Sequence, residues 1–333
     1  MGGPDLWKYC TAEHCREMLL SLGLLEGEEW TDDRVLSCLY AVSNHAEIHY
    51  NKMQIPKKGG GVRTILAPDP LLKAIQRNIL HHVLDGLELS PCAAAYHKGA
   101  SIRRNAAVHV GKETVLKLDI EDFFGSITFP MVRQSAFKSR YFPVPVGTLL
   151  TALCCYKDRL PQGSPASAAI SNLVMKPFDE YMDHWCGERE ITYSRYCDDM
   201  TFSGTFDAAE VYGKVKGFLT SMGFALNASK TKLLTRHGRQ TVTGMVVNDK
   251  IQVPASYRKA VRQEVHYCLK YGVKEHLKYR NERTYLDMGE KGEQTYLMSL
   301  LGKISFILSA NPDDRWFKQA AEAVKGNLKT YVK

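Results

Sequence analysis

Ile191-Thr-Tyr-Ser-Arg-Tyr-Cys-Asp-Asp-Met-Thr-Phe-Ser203 is two short runs of β-forming residues with an acidic pair between them. Both flanks, Ile191 to Tyr196 and Met200 to Ser203, are rich in β-branched and aromatic residues, which places Asp198-Asp199 at the tight turn of a predicted hairpin. Adjacent carboxylates repel: at ~4 Å, like charges cost about 4 kcal/mol at an effective dielectric near 20. A sequence keeps such a pair most readily where divalent cations neutralise it. A turn at a sheet edge would hold both carboxylates rigidly and aim them at one point. Taken alone, the dyad is better explained by a surface turn, so a metal reading depends on a partner.

The partner lies upstream, in Thr114-Val-Leu-Lys-Leu-Asp119-Ile-Glu-Asp-Phe-Phe124. Val115 to Ile120 reads as a half-buried strand with Asp119 at its end. By itself Asp119 also fits the cap of a following helix. Beside a hairpin-turn Asp-Asp it supplies oxygen ligands from a neighbouring strand. Hard cations such as Mg²⁺ take one to three carboxylates, with water and substrate phosphate completing the octahedron. Two such ions ~4 Å apart can clamp the attacking and leaving oxygens of a phosphoryl displacement.

Further strings occur in a fixed order around these carboxylates. They are Ile55-Pro-Lys-Lys-Gly-Gly-Gly-Val-Arg63, Leu118 to Phe124, Leu160-Pro-Gln-Gly-Ser-Pro165, Tyr196-Cys-Asp-Asp199 and Gly223-Phe-Ala-Leu-Asn-Ala-Ser-Lys230-Thr. Together they resemble the fingers hairpin and the palm motifs of reverse transcriptases, across roughly residues 50–250. Asn105-Ala-Ala-Val-His109 and Val242-Thr-Gly244 resemble two elements of retron reverse transcriptases, and Leu301-Gly-Lys-Ile-Ser-Phe306 with Asn311-Pro is similar to their thumbs. Cys197 departs from the pattern, since many relatives carry Ala there.

The resemblance implies an α+β right-hand polymerase of fingers, palm and thumb, with an antiparallel palm sheet backed by helices. Its subdomains would be an N-terminal helical extension (1–50), fingers (51–110, with part of 140–165), palm (111–250) and a basic helical thumb (251–333). It implies an RNA-directed DNA polymerase that copies a cognate structured noncoding RNA (msr-msd) into branched single-stranded DNA (msDNA). Synthesis would start from a guanosine 2′-hydroxyl and serve anti-phage defence with an accessory effector protein. Catalysis would fall to Asp119, Asp198 and Asp199, which with Ile120 form the set for two Mg²⁺ ions, Mn²⁺ being a substitute. Lys57, Arg63, Phe124, Gln162, Gly163 and Lys230 would meet the deoxynucleotide, Phe124 as the gate against a ribose 2′-hydroxyl. Asn105, His109, Val242, Thr243, Gly244, Arg258, Lys259 and Arg262 would contact RNA. Two other readings stay open: another bacterial reverse transcriptase (group II intron, diversity-generating or abortive-infection type), and an RNA–DNA scaffold that restrains a toxic effector.

Several residues carry chemistry of their own. Triglycine lets backbone approach phosphate oxygens, and the planar fork of Arg63 suits bidentate contact; an exposed hairpin tip would look similar. By the resemblance, Lys230 matches the polymerase motif lysine that would protonate the leaving pyrophosphate or stabilise its charge, though a solvated lysine fits too. His45 and His49 have helical ligand spacing, but no third ligand is evident. His81-His82 reads as compensation of a helix C-terminus.

Bulk properties agree. The chain has 333 residues, enough for two or three subdomains, and a formal net charge of +8, which suits a polyanionic partner. Residues 254–333 hold 15 Lys/Arg against 9 Asp/Glu, so the charge is concentrated there and interleaved with tyrosines. Cations position a phosphate backbone, and exposed aromatics can stack unpaired bases. Nine cysteines with no C-x-x-C pair argue for a reducing compartment and against zinc. Without a signal-peptide core or an apolar run near ~18 residues, a cytoplasmic protein with no membrane partner is expected.

Periodicity predicts helices in 6–50 (capped at Thr31 or Asp32), 71–84, 166–183 and 208–222, and a hairpin over 53–66. Strands are predicted near 115–120, 191–196, 200–203, 224–226 and 241–247, joined in one small sheet.

Overall fold

In the computed structural model, which describes residues 6–27, 29–56 and 60–331, contacts divide the chain into two compact units. The first holds residues 1–100 and 116–233, the second 101–115 and 234–333. This division by contact does not follow the functional boundaries expected at 50, 110 and 250.

In the first unit, Thr11 caps the helix Ala12–Ser21 by accepting the His14 N–H at 3.3 Å. Thr31 stands at the cap of Asp32–Asn44 without a side-chain bond, and Asp32 and Asp33 place negative charge in the first turn. Strands β1 (Tyr50–Pro56) and β2 (Val62–Pro68) form the expected antiparallel hairpin, with Ile55 opposite Arg63. Asp69 then caps Pro70–Asn78. The helix expected to run to Leu84 widens into a π turn over Ile79–Leu84. There His82 Nδ1 donates to the Leu22 carbonyl at 2.8 Å and His81 Nδ1 meets Asp85 at 2.8 Å, so both rings have specific partners rather than a general dipole role.

The main sheet contains β3 (Thr114–Asp119), β4 (Thr192–Tyr196), β5 (Asp199–Gly204) and β6 (Lys232–Thr235), in the order β4-β5-β3-β6. The helix Ser167–Gly187 backs it, burying Ile170, Val174, Phe178 and Met182 at four-residue spacing. Two strand expectations need correction. Residues 224–226 form no strand: Leu226 makes a single bridge to Ile120, because the segment binds the end of β3 by isolated backbone bonds. The actual edge strand, β6, lies just beyond.

In the second unit, residues 241–247 do not extend the main sheet. They fold back as β7 (Thr241–Val242) and β8 (Met245–Val246), a separate two-stranded hairpin. Thr243 (φ 45°) and Gly244 (φ 83°) supply the two positive φ values that such a two-residue turn requires. The hairpin packs on the short helix Ile102–Ala107, where Thr243 Oγ1 donates to the Ile102 carbonyl at 3.1 Å. Helices Ala255–Tyr271, Val273–Tyr279, Glu290–Ala310 and Arg315–Thr330 complete the unit around Leu297, Leu300, Ile304 and Phe317.

Among the described residues, which include all nine cysteines, there is no disulfide, and only Cys10 and Cys38 are not buried. Burial pushes the thiols of Cys155, Cys186, Cys197 and Cys268 up to about 12. Among the described residues no helix is long and apolar enough to cross a membrane.

Burial, with Lys112 nearby, lowers His109 to about 3. An unfolded histidine titrates near 6.5, so between these values the unfolded state binds more protons. The stability from a neutral His109 is complete above pH 6.5 and is lost as pH falls toward 3, amounting to about 2 kcal/mol by pH 5. We expect urea midpoints to fall between pH 7.5 and pH 5, and His109→Gln to flatten that dependence.

Candidate active site

The register Tyr196 to Asp199 leaves Cys197 and Asp198 as the two turn residues of the β4–β5 hairpin. Cys197 has φ 63° and Asp198 is not left-handed, a pattern of two-residue turns whose first central position is usually glycine. The turn is therefore strained, and its contacts hold it. The Tyr96 ring lies beside it, its centroid 6.5 Å from that of Tyr196. The Asp198 carbonyl accepts the Ile120 N–H at 3.2 Å, which ties the turn to the end of β3 beside Asp119.

Asp119 is 5% exposed. Burial raises its carboxyl above the usual range, with Asp198 adding to the shift and Lys230 opposing it. Asp199 is also raised, first by burial, then by Asp198 and Asp119, against the pull of Lys117. Lys230 Nζ lies 2.9 Å from both Asp119 oxygens. Main-chain docking explains that reach: Asn227 N–H donates to the Asp119 carbonyl at 2.8 Å, and Lys230 N–H to the Asn227 carbonyl at 3.1 Å. Sequence separation of more than a hundred residues is thus closed by a short loop.

Among the described residues no three His, Cys, Asp or Glu side chains converge as a ready-made ion cage. Mg²⁺ does not require one, because it is commonly held by one or two carboxylates plus waters and substrate phosphates. The donors are all hard oxygens, and the buried Asp119 carboxylate already has a cation against both oxygens. These residues fit a divalent ion.

Asp119, Ile120 and Asp198 line a cavity of about 730 Å³, with Arg63, Phe124, Gln162 and Lys230 around it. Asp199 and Gly163 lie outside that lining. Phe123 is buried against Phe224 and Phe124 is half-buried, and both border the cavity. Lys57 lies outside the described residues. Gly163, at φ 130°, lets the loop press on β2: Leu66 N–H donates to the Gln162 carbonyl at 2.8 Å, and a Cβ at 163 would sit 2.7 Å from the Leu66 carbonyl oxygen.

Tyr156, Lys157, Arg159 and Asn227 also line the cavity and were not anticipated. Lys157 and Asp158 both have positive φ, so Tyr156 to Arg159 is a tight turn presenting two cations. Their position immediately before Leu160-Pro-Gln-Gly was the available signal.

In the second unit the residues expected on RNA divide. Asn105, His109 and Val242 are at most 2% exposed. As they stand, these side chains are interior and cannot touch RNA directly, because helix Ile102–Ala107 and the β7–β8 hairpin pack together there. Thr243 and Arg258 are half-buried, whereas Gly244, Lys259 and Arg262 are exposed. Lys259 and Arg262 border a shallow depression with His266, Tyr267 and Trp316, and the Arg262 guanidinium lies 5.2 Å from the Trp316 ring. Tyr267 stacks on Tyr271 with centroids 6.0 Å apart.

Paired acidic residues on a hairpin turn, a third carboxylate on the adjacent strand and a basic hairpin beside one cavity describe a nucleotidyl-transfer site. The chain matches the family described as reverse transcriptase (RNA-dependent DNA polymerase) over residues 55–279, and it belongs to that family. Its relatives include the retron Ec86 reverse transcriptase of Escherichia coli, 34% identical over 276 residues, covering 80% of this chain and 85% of the relative. The retron Mx65 reverse transcriptase of Myxococcus xanthus is 35% identical over 238 residues, covering 66% of this chain and 56% of the relative. A solved telomerase from Candida tropicalis, complexed with a fragment of telomeric RNA, aligns with TM-score 0.46 and 10% identity over 90% of this chain and 66% of that one. The enzyme is an RNA-directed DNA polymerase of retron type, and the expected α+β right-hand polymerase fold is borne out.

Gly163→Ala is expected to raise KM for deoxynucleotides about tenfold, reflecting about 1–3 kcal/mol of backbone strain and contact with Leu66. Steady-state primer extension measures this, and a melting temperature close to the parent's separates it from unfolding.

Proposed function

We propose that the enzyme reverse transcribes a cognate structured noncoding RNA into branched single-stranded DNA, primed from a guanosine 2′-hydroxyl, in the cytoplasm and as part of an anti-phage system with an accessory effector. The observation that carries the reading is the meeting of Asp119, Asp198, Lys230, Arg63 and Phe124 at one cavity. Relatives named as retron reverse transcriptases support the RNA partner.

In this reading residues 51–110, with part of 140–165, are the fingers, 111–250 the palm, 251–333 the thumb and 1–50 a helical extension. Two Mg²⁺ ions, or Mn²⁺ in their place, held by Asp119, Asp198, Asp199 and the Ile120 backbone, would supply activation of the attacking hydroxyl and charge neutralisation at the triphosphate. Arg63 and Lys57 bind triphosphate oxygens. Phe124 blocks a ribose 2′-hydroxyl. Gln162 and Gly163 line the nascent base pair, and Lys230 stabilises charge on the leaving pyrophosphate. Lys259 and Arg262, helped by Arg258, Thr243 and Gly244, hold RNA phosphates, while Asn105, His109 and Val242 act from inside the unit.

Co-expression with the DNA flanking its gene is expected to yield abundant branched single-stranded DNA; its absence with the RNA present would refute the retron reading. Asp198→Asn is expected to lower synthesis by roughly 10³-fold, as several kcal/mol of transition-state stabilisation implies, with RNA binding retained. Phe124→Ala is expected to relax discrimination against ribonucleotides by roughly 10- to 100-fold, which single-nucleotide incorporation assays measure.

A further inference from the structure

Arg195 stands two residues before the catalytic turn and is entirely buried. Its guanidinium takes up a fixed set of partners. Nε donates to Asp179 Oδ1 at 2.9 Å and Nη2 to Asp179 Oδ2 at 2.6 Å, a bidentate fork. Nη1 donates to Asn172 Oδ1 at 3.2 Å and to the Cys197 carbonyl at 2.9 Å. Asp179 and Asn172 both belong to the helix Ser167–Gly187, and Asp179 also accepts the Tyr193 hydroxyl at 2.8 Å. The Arg195 main chain is pinned too, donating to the Cys92 carbonyl at 2.8 Å and accepting the Ala94 N–H at 2.7 Å.

We propose that Arg195 is a positioning residue for the metal-binding turn, holding the Cys197 carbonyl against the rigid Asp179–Asn172 face of the backing helix so that Asp198 and Asp199 stay aimed at the cavity. Cys197 is left-handed without being glycine, so the turn needs outside contacts to persist. Both turn carbonyls have one: Asp198 from the end of β3, Cys197 from Arg195. The first tethers the turn to Asp119, the second to the helix, and mutual repulsion of the carboxylates works against both. A buried guanidinium kept only for stability would be satisfied by its carboxylate and by Asn172. The bond to the turn is the additional element, and lysine cannot reproduce it while keeping the fork.

The test uses the full chain with its RNA and compares Arg195→Lys with the double variant Arg195→Met/Asp179→Leu, which replaces the pair by apolar groups and leaves no buried unpaired charge. Mn²⁺ binding without nucleotide, followed by the paramagnetic resonance signal of the free ion, is measured beside RNA affinity, melting temperature and extension kinetics. The proposal expects both folded variants to bind RNA as the parent does, with Mn²⁺ affinity reduced at least tenfold and kcat reduced far more than KM is raised. A folded double variant with parental Mn²⁺ affinity and kcat overturns it. Should the double variant fail to fold, parental Mn²⁺ affinity in Arg195→Lys overturns it equally. The proposal rests on the metal reading of the three aspartates. Asp198→Asn, run in parallel, separates the two: undiminished Mn²⁺ binding there sinks the metal reading itself.

Discussion

Repulsion among three carboxylates at the ends of neighbouring strands is the constraint around which the first unit is organised. Asp198 and Asp199 occupy consecutive positions of one tight hairpin, and Asp119 ends the adjacent strand. Left to themselves these charges would drive the strand ends apart. Lys230 offsets the repulsion at Asp119, at 2.9 Å from each oxygen. The backbone bond from Ile120 to the Asp198 carbonyl and the bond from Arg195 to Cys197 then hold the two strand ends in place. Register matters as much as charge. A slip of one residue between β4 and β5 would turn the acidic side chains to the opposite face, and the buried Tyr193 and Arg195 contacts to Asp179 oppose that slip.

The wall facing the carboxylates is positioned by main chain. Leu66 bonds to the Gln162 carbonyl, and Gly163 keeps the approach close. Val62, Arg63 and Thr64 at the start of β2 are exposed ahead of that contact, so Arg63 can border the cavity while the strand is located by backbone.

Most of the carboxylate site was legible because each part is local: a β-rich flank, an acidic turn, a strand ending in Asp119. Lys230 was legible as a residue but not as a partner of Asp119, since the loop that carries it back is set by isolated backbone bonds rather than by a periodic pattern. The same bonds explain why 224–226 resembled a strand and was not one. Arg195 gave no signal, because a charged residue in a strand ordinarily reads as exposed, and its partner Asp179 lies sixteen residues away on a helix. Asn105, His109 and Val242 were read as RNA contacts on resemblance alone; they are buried where β7–β8 folds as a separate hairpin, with positive φ at Thr243 and Gly244 in its turn.

The distribution of cysteines has a practical consequence for spectroscopy. Seven of the nine thiols are buried, Cys197 in the β4–β5 turn among them, and those raised to about 12 remain protonated at neutral pH and poor nucleophiles. The less buried thiols are Cys10, just before the helix Ala12–Ser21, and Cys38, on Asp32–Asn44, which makes them the first candidates for a maleimide dye or spin label.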